Sequence, residues 1–424
     1  MFFAVSGGPY GLEPLFHNVG GTAALALIVI TPLVWSLPVI LMTLELNGLM
    51  PREGGYYYWV KSALGRQWGF CEGWWSWLYA LTDLAIYPVL FTQYLTYLIP
   101  EASAYKIPIC LAVIWLCVQL NLRGVLLVGR SSITLGIAVL VPFLILFAVA
   151  AVHPSHLQET LPHTSPLMPI GLAALCMGLF NVMWNYLGWD NGFTIAEEVE
   201  SPVRSYLIAI GGAMLVIVLI YFFSVLVAVQ SGIDPGLLEE EGFPSLGLRL
   251  GGWWVGAVLS AGGMASALGL FLAALLSISR VPKVMADDGL LPSRLQRLHP
   301  VTQVPHVSIL TCAVVVSFMV LWDFGDLLII DVTLYGAALL PEFFALVILR
   351  RRIPDSARPF RIPLKIRGLV FMTCFPAACI LLALGGLFAS GTVHLNAAWF
   401  ALVIVATGPL VWQVVKRRRV VEGM

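Results

Sequence analysis

Charge is scarce in this chain. Only 11% of its 424 residues are charged and 59% are hydrophobic, with a mean hydropathy of +0.91. Soluble proteins carry roughly 25% charged residues. An ordinary soluble globule is excluded, and the composition points to an all-α polytopic membrane protein. The net charge is zero, so there is no basic footprint for nucleic acid. The seven cysteines (Cys71, Cys110, Cys117, Cys176, Cys312, Cys374, Cys379) lie in or beside apolar runs and form no metal-type spacing. They read as reduced packing residues. His153, His156 and His163 fall in a Pro-rich connection and read as solvated, so no metal site is expected. No nucleophile or nucleotide motif occurs, and the phosphate-loop pattern is absent, which argues against an enzyme, a bound cofactor or an ATP-driven pump. Met1-Phe2-Phe3 lacks the basic start of a cleavable signal peptide, so none is expected.

What the chain has is apolar runs. They predict spans over about 22–50, 68–99, 105–122, 125–152, 203–229, 253–279, 305–322, 327–349, 368–388 and 397–415. A broken span over about 170–202 and a half-span after residue 11 bring the total to twelve. A Pro/His-rich loop covers 153–169, an acidic loop 231–251, and a basic segment with a short surface helix 280–304. With the N-terminus inside, only Lys106 and Arg249 of the 23 Lys and Arg fall on the outer side. That partition fits the positive-inside rule and places both termini in the cytoplasm, in a cell's inner (plasma) membrane.

Two stretches interrupt the apolar pattern. Phe180–Pro202 reads FNVMWNYLGWDNGFTIAEEVESP, with Asn185, Gly188, Asp190, Asn191 and Gly192 crowded together and Trp184, Tyr186 and Trp189 between them. A charge and loose backbone at membrane depth are costly unless they line a polar cavity. The other break, first in chain order, is Ser6-Gly7-Gly8-Pro9-Tyr10-Gly11, whose glycines can expose backbone amides at the start of a half-helix. Almost nothing apolar precedes it. Either the inner half of this first helix is missing from the sequence, or the protein does without it. Two helices broken at mid-depth are how many secondary transporters build a binding site.

These residues are similar to those of the amino acid–polyamine–organocation permeases. The resemblance rests on SGGPYG followed by Glu13, on ELNGLMPREGGYYYWV, and on WGFCEGWWSWL with Asp83 and Tyr87-Pro88-Val89-Leu90-Phe91. It extends through Asn121-Leu122-Arg123-Gly124, WNYLGWDN with EEVESP, Ser279-Arg280 and PEFFALVILR. It is nearest to the polyamine uptake branch and to L-type amino acid transporters. The family implies a leucine-transporter-like fold of two inverted five-helix repeats plus two extra helices, with helices 1 and 6 broken. On that expectation 1–424 is a single integral-membrane transporter domain. The first repeat and broken helix 6 fill 1–200, the second repeat 169–349, and the extra helices 368–415. Two departures bear on coupling: 125–152 has no Lys, only Arg130, and Ala265-Ser266-Ala267 lacks adjacent hydroxyls. Protons are therefore favoured over sodium as the coupling ion.

The acids suggest the cargo. Glu45, Glu72, Glu197, Glu198 and Glu200 read as interfacial, near basic neighbours. Glu13, Asp83 and Asp190 read as deeper, with no Lys or Arg at that depth. A lone buried carboxylate must be protonated, hydrated or held for a cation. These three are the candidates for proton coupling. The expected substrate site comprises Ser6, Gly7, Gly8, Tyr10, Glu13, Asp83, Tyr87, Trp184, Asn185, Tyr186, Gly188, Trp189 and Asp190. Its expected ligand is a small amine or amino acid, with amine-rich cations favoured and aromatic rings available for stacking. The alternatives are an amine or amino acid exchanger, or a non-transporting sensor or complex subunit. Asp331 and Glu342 read as gate or packing residues.

Overall fold

The computed structural model describes residues 3, 8–152, 171–198, 202–353, 358–391 and 395–421. Among them the chain is helical throughout, with no strand. A short helix, α1 (Glu13–Val19), follows the first break. Next come α2 (Gly21–Thr31) and α3 (Leu37–Leu49), joined without a gap by a π-helical turn at Pro32–Ser36. A short α4 (Gly55–Leu64) leads into the 33-residue α5 (Arg66–Leu98). Then follow α6 (Lys106–Leu122), α7 (Val125–Val152), α8 (Leu172–Asn185) and α9 (Pro202–Ser231). The second half adds α10 (Pro235–Glu241), α11 (Phe243–Gly251), α12 (Trp253–Ile278), α13 (Arg280–Asp287), α14 (His306–Met319) and α15 (Phe324–Arg352). The chain closes with α16 (Ile366–Ser390) and α17 (Leu395–Val421).

Eight of the described helical stretches are long and apolar enough to cross a membrane; α8 and α14 are apolar but shorter. Leu33, Ile133, Leu215, Phe318 and Leu381 stay more than half exposed, as lipid-facing side chains do. The protein is an integral membrane protein.

Helix α5 is the spine. It packs along α12 and α15, and α12 packs along α7. Close approach depends on small residues in α12. A methyl group on Gly262 would fall 2.1 Å from the Tyr10 hydroxyl, and one on Gly263 would fall 2.5 Å from the Tyr94 ring. Small residues let helices meet at short range where lipid gives no hydrophobic drive.

The region read as an acidic loop over 231–251 is instead α10 and α11. Asp234 caps α10 by accepting hydrogen bonds from the Gly236 and Leu237 amides. In α11, Phe243, Leu246 and Leu250 are buried. Seven- and nine-residue helices offer too few turns for periodicity to stand out. Helix does not resume as α after the second break. Asn191–Glu198 is a 3-10 segment, and Tyr206 donates to its Gly192 carbonyl at 2.8 Å.

The two ends of the bundle differ. At the end carrying α4 and α13, ion pairs close the structure. The buried Glu45 carboxylate accepts from Arg350, from Arg358 at 2.8 Å and from the Ile362 amide at 2.8 Å. Glu53 accepts from Lys283 at 2.7 Å, and Asp288 accepts from Lys61 and Tyr57. At the end carrying α10 there is a cavity of about 440 Å³, lined by residues including Glu13, His17, Asn181, Glu239, Asp323 and Phe324.

Candidate substrate site

The α8 helix stops because its next residues cannot continue it. The Tyr186 and Leu187 amides turn back to Met183 and Trp184, and Gly188 adopts φ +88°. That conformation suits glycine. The polar backbone groups left at the break must find partners, and side chains from neighbouring helices supply them. Tyr221 donates to the Asn185 carbonyl at 3.1 Å, and Ser36 to the Tyr186 carbonyl at 3.2 Å. Tyr186 itself donates to the Ile28 carbonyl at 3.0 Å. Ser36 lies in the π-helical turn, a feature often found at functional sites.

The two breaks are joined. Asn181 and Asn185 donate their side-chain amides to the Gly11 carbonyl, at 2.9 and 3.2 Å. Gly11 has φ +123°, and a Cβ there would sit 2.8 Å from the Trp184 ring. Conformation and space both demand glycine. Glu13 folds back at the start of α1. Its carboxylate accepts from the Gly11 amide at 2.7 Å, the Tyr94 hydroxyl at 2.6 Å and the Phe243 amide at 3.3 Å.

Two aspartates face the break. Asp83 accepts from the Trp184 indole at 3.0 Å and the Tyr87 hydroxyl at 2.5 Å. Asp190 accepts from the Tyr335 hydroxyl at 2.9 Å through Oδ1, while its buried Oδ2 has no partner. Tyr335 meets Tyr79 edge-to-face with ring centroids 5.0 Å apart, and Tyr79 donates to Asn191 at 2.6 Å.

The structure thus ties Gly11, Asp83, Tyr87, Trp184 and Asn185 together by side-chain contacts, with Gly188 and Asp190 further along the same break. Tyr186 is at the break but turned toward α2. Tyr10 packs against Tyr94 and Phe143, with centroids at 5.1 and 4.9 Å, and Gly8 lies beside Ser266. Trp189 is buried with its indole N–H unpartnered. Ser6, Gly7, Glu200 and the three loop histidines lie outside the described residues, as do the side chains of Glu197 and Glu198.

Sequence reasoning missed Asn181, Tyr79, Tyr94 and Tyr335. It also misplaced Glu72. That residue is fully buried; Ser76 donates to its Oε1 at 2.8 Å and Oε2 has no partner, so it is not an interfacial side chain. Glu45 does have basic neighbours, but it too is buried. Asp331 and Glu342, both buried, carry carboxylates without hydrogen-bond partners. Among the described residues no group of His, Cys, Asp and Glu could hold a metal ion.

The amino acid permease family pattern matches residues 1–409. The chain belongs to the amino acid permease family, within the amino acid–polyamine–organocation superfamily. It is 34% identical over 389 residues to a probable polyamine transporter of Arabidopsis thaliana, covering 90% of this chain and 79% of that protein. A polyamine transporter of Oryza sativa subsp. japonica is 34% identical over 392 residues, covering 91% and 72%. A serine/threonine exchanger of Bacillus subtilis (strain 168) is 24% identical over 387 residues, covering 88% and 84%. The permease is a membrane transporter for small molecules.

Proposed function

We propose that this permease is a secondary transporter of amines, polyamines first and cationic amino acids second, driven by protons rather than sodium. The observation that carries this reading is the Asp190 carboxylate. It lies in the α8 break with one oxygen held by Tyr335 and the other unpartnered. A buried carboxylate oxygen without a donor is expensive. An ammonium group arriving from the cavity supplies the donor and the charge. Asp83, held by Trp184 and Tyr87, is the second counter-ion, and the indole and phenol rings suit an alkylammonium chain. Glu13 already has three donors. It braces the first break, and its charge beside the Gly11 amide disfavours a substrate carboxylate there.

The twelve-crossing reading adds α1, α5, α8 and α14 to the eight long apolar stretches. In the inverted-repeat arrangement, both termini are cytoplasmic and the whole chain forms one transporter domain. The α10 end then faces outward, and the ion-paired α13 end is the closed cytoplasmic side. No bound cofactor is involved. The similarity to a serine/threonine exchanger supports a second reading, exchange of amino acids.

Uptake of labelled putrescine, spermidine and arginine into proteoliposomes tests both readings. Uptake that rises with an inward proton gradient supports the proposal. Uptake that needs internal substrate and ignores the gradient supports the exchanger. No transport by protein that still binds amines would favour a sensor.

A further inference from the structure

Beyond the paired breaks, α5 and α15 carry matching polar faces. On α5 these are Glu72, Tyr79 and Asp83; on α15 they are Glu342, Tyr335 and Asp331. In each helix the two acids are eleven residues apart. Eleven residues make close to three turns, so each set lines one helix face, and its acids are about 16 Å apart along the axis. The helices pack against each other with their tyrosines in ring contact at 5.0 Å. Asp331 lies within electrostatic reach of Asp83 on one side of the tyrosines, and Glu342 within reach of Glu72 and Asp190 on the other.

The Glu342 side is unusually short of donors. Both Glu342 oxygens, Glu72 Oε2 and Asp190 Oδ2 lack hydrogen-bond partners. A residue of another type points to the same spot. Tyr56 is fully buried, with its hydroxyl beside Ser76 and within electrostatic reach of Asp190, Glu72 and Glu342. These acids are not grouped to ligate a metal ion. Four acceptor oxygens facing one another suit a cation that carries several N–H donors.

We propose that Glu72, Glu342 and Tyr56 form, together with Asp190, an inner station for an organic ammonium group, on the far side of the Tyr79–Tyr335 pair from Asp83. The proposal rests on the amine-transporter reading. A substrate held first at Asp83 and Trp184 passes the tyrosines and is received by this station before release. The acids keep a cation solvated by carboxylates along a path that would otherwise be apolar.

The test uses the full-length protein with Glu342→Gln, Glu72→Gln and Tyr56→Phe, purified and reconstituted. Three readouts are taken: equilibrium binding of labelled spermidine, proton-driven uptake, and spermidine–spermidine counterflow without a proton gradient. Each variant is expected to bind within about threefold of wild type, while uptake and counterflow both fall about tenfold for the glutamine variants and by less for Tyr56→Phe. Counterflow at the wild-type rate with uptake lost would mean the station holds protons only, and would overturn the proposal. Wild-type uptake in all three variants would also overturn it. If neither glutamine variant can be purified, Tyr56→Phe decides: slowed counterflow supports the station and unchanged counterflow refutes it. Failure of the wild type to bind any amine would instead sink the amine reading itself.

Discussion

Tyr79 and Tyr335 meet edge-to-face, yet each gives its hydroxyl to a different residue of the α8 break: Tyr79 to Asn191, Tyr335 to Asp190. The pair therefore bridges α5 and α15 and fixes the aspartate beside it. A phenylalanine at 335 would keep the ring contact and free Asp190. We predict that Tyr335→Phe folds normally and alters amine affinity, while Tyr335→Ala opens the layer and allows leak. Amine binding and passive efflux from preloaded vesicles check this. Unchanged binding in Tyr335→Phe would mean that the hydroxyl does not tune Asp190.

Asp190→Asn should weaken amine binding more than it disturbs the fold. Asn keeps the shape and an acceptor for Tyr335 but removes the charge that a cation needs. Asp83→Asn should behave the same way: its one amide oxygen still accepts from Trp184, and its NH2 can donate to the Tyr87 hydroxyl in place of the bond that hydroxyl gave. A loss of about tenfold or more in spermidine affinity, with unchanged elution and melting, is expected on losing one charge of a buried pair. Wild-type affinity in either variant removes that residue from the site.

Gly11→Ala should be damaging although it adds only a methyl group. The backbone there has φ +123°, and the new Cβ would press on the Trp184 ring. Strained non-glycine backbone of this kind costs on the order of 1–3 kcal/mol. Lower thermal stability and lost transport are expected together. Gly65→Ala (φ +90°), with nothing within 4 Å of the added carbon, serves as a control for backbone conformation without the clash.

Glu45→Ala should destabilise the closed α13 end. It would leave Arg350 and Arg358 buried without their counter-charge. Breaking a buried pair from one side typically costs about 3–5 kcal/mol. Protease sensitivity of the 280–304 and 350–365 connections should rise, and the melting temperature should fall. A melting curve like that of the wild type would show that the arginines find other partners.

In the proposed orientation, the pH outside should act through the cavity at the α10 end. Partial burial pushes the Glu239 carboxyl above its ordinary value; His17, 3.3 Å away, opposes this, and Glu240 adds to the rise. As pH falls through that raised value, Glu239 loses its charge and the cavity attracts cations less. Apparent amine affinity should therefore rise with pH and be flatter in Glu239→Gln. At both of two pH values putrescine should compete at least as well as ornithine, because Glu13 stands beside the Gly11 amide. A clear preference for ornithine would mean that the first break cradles a carboxylate.

Much of this architecture was legible in the sequence. The span expected over 125–152 coincides with α7, because a long apolar run between Gly124 and a Pro/His-rich segment leaves little choice. The break at Asp190 was legible because Asn, Gly and Asp crowd where lipid would not tolerate them. Glu72 was misread for a physical reason. It lies near the start of α5, close in sequence to Arg66, and only tertiary packing turns it inward toward Glu342. The eleven-residue spacing of acids in α5 and α15 is visible in the sequence. Its meaning depends on the two helices facing each other, which no local pattern states.

The α8 break is held from two sides, and α9 reaches both. Above it, Asn185 and Tyr186 are tied to α2, the π-helical turn and α9. Below it, Tyr206 holds the Gly192 carbonyl, the Gly54 amide donates to Thr194, and Thr194 donates to the Ser277 carbonyl. In kinematic terms α9 is a strut common to both arms, gripping the upper one through Tyr221 and the lower one through Tyr206. A tilt of α9 would therefore pull on both arms of the break at once.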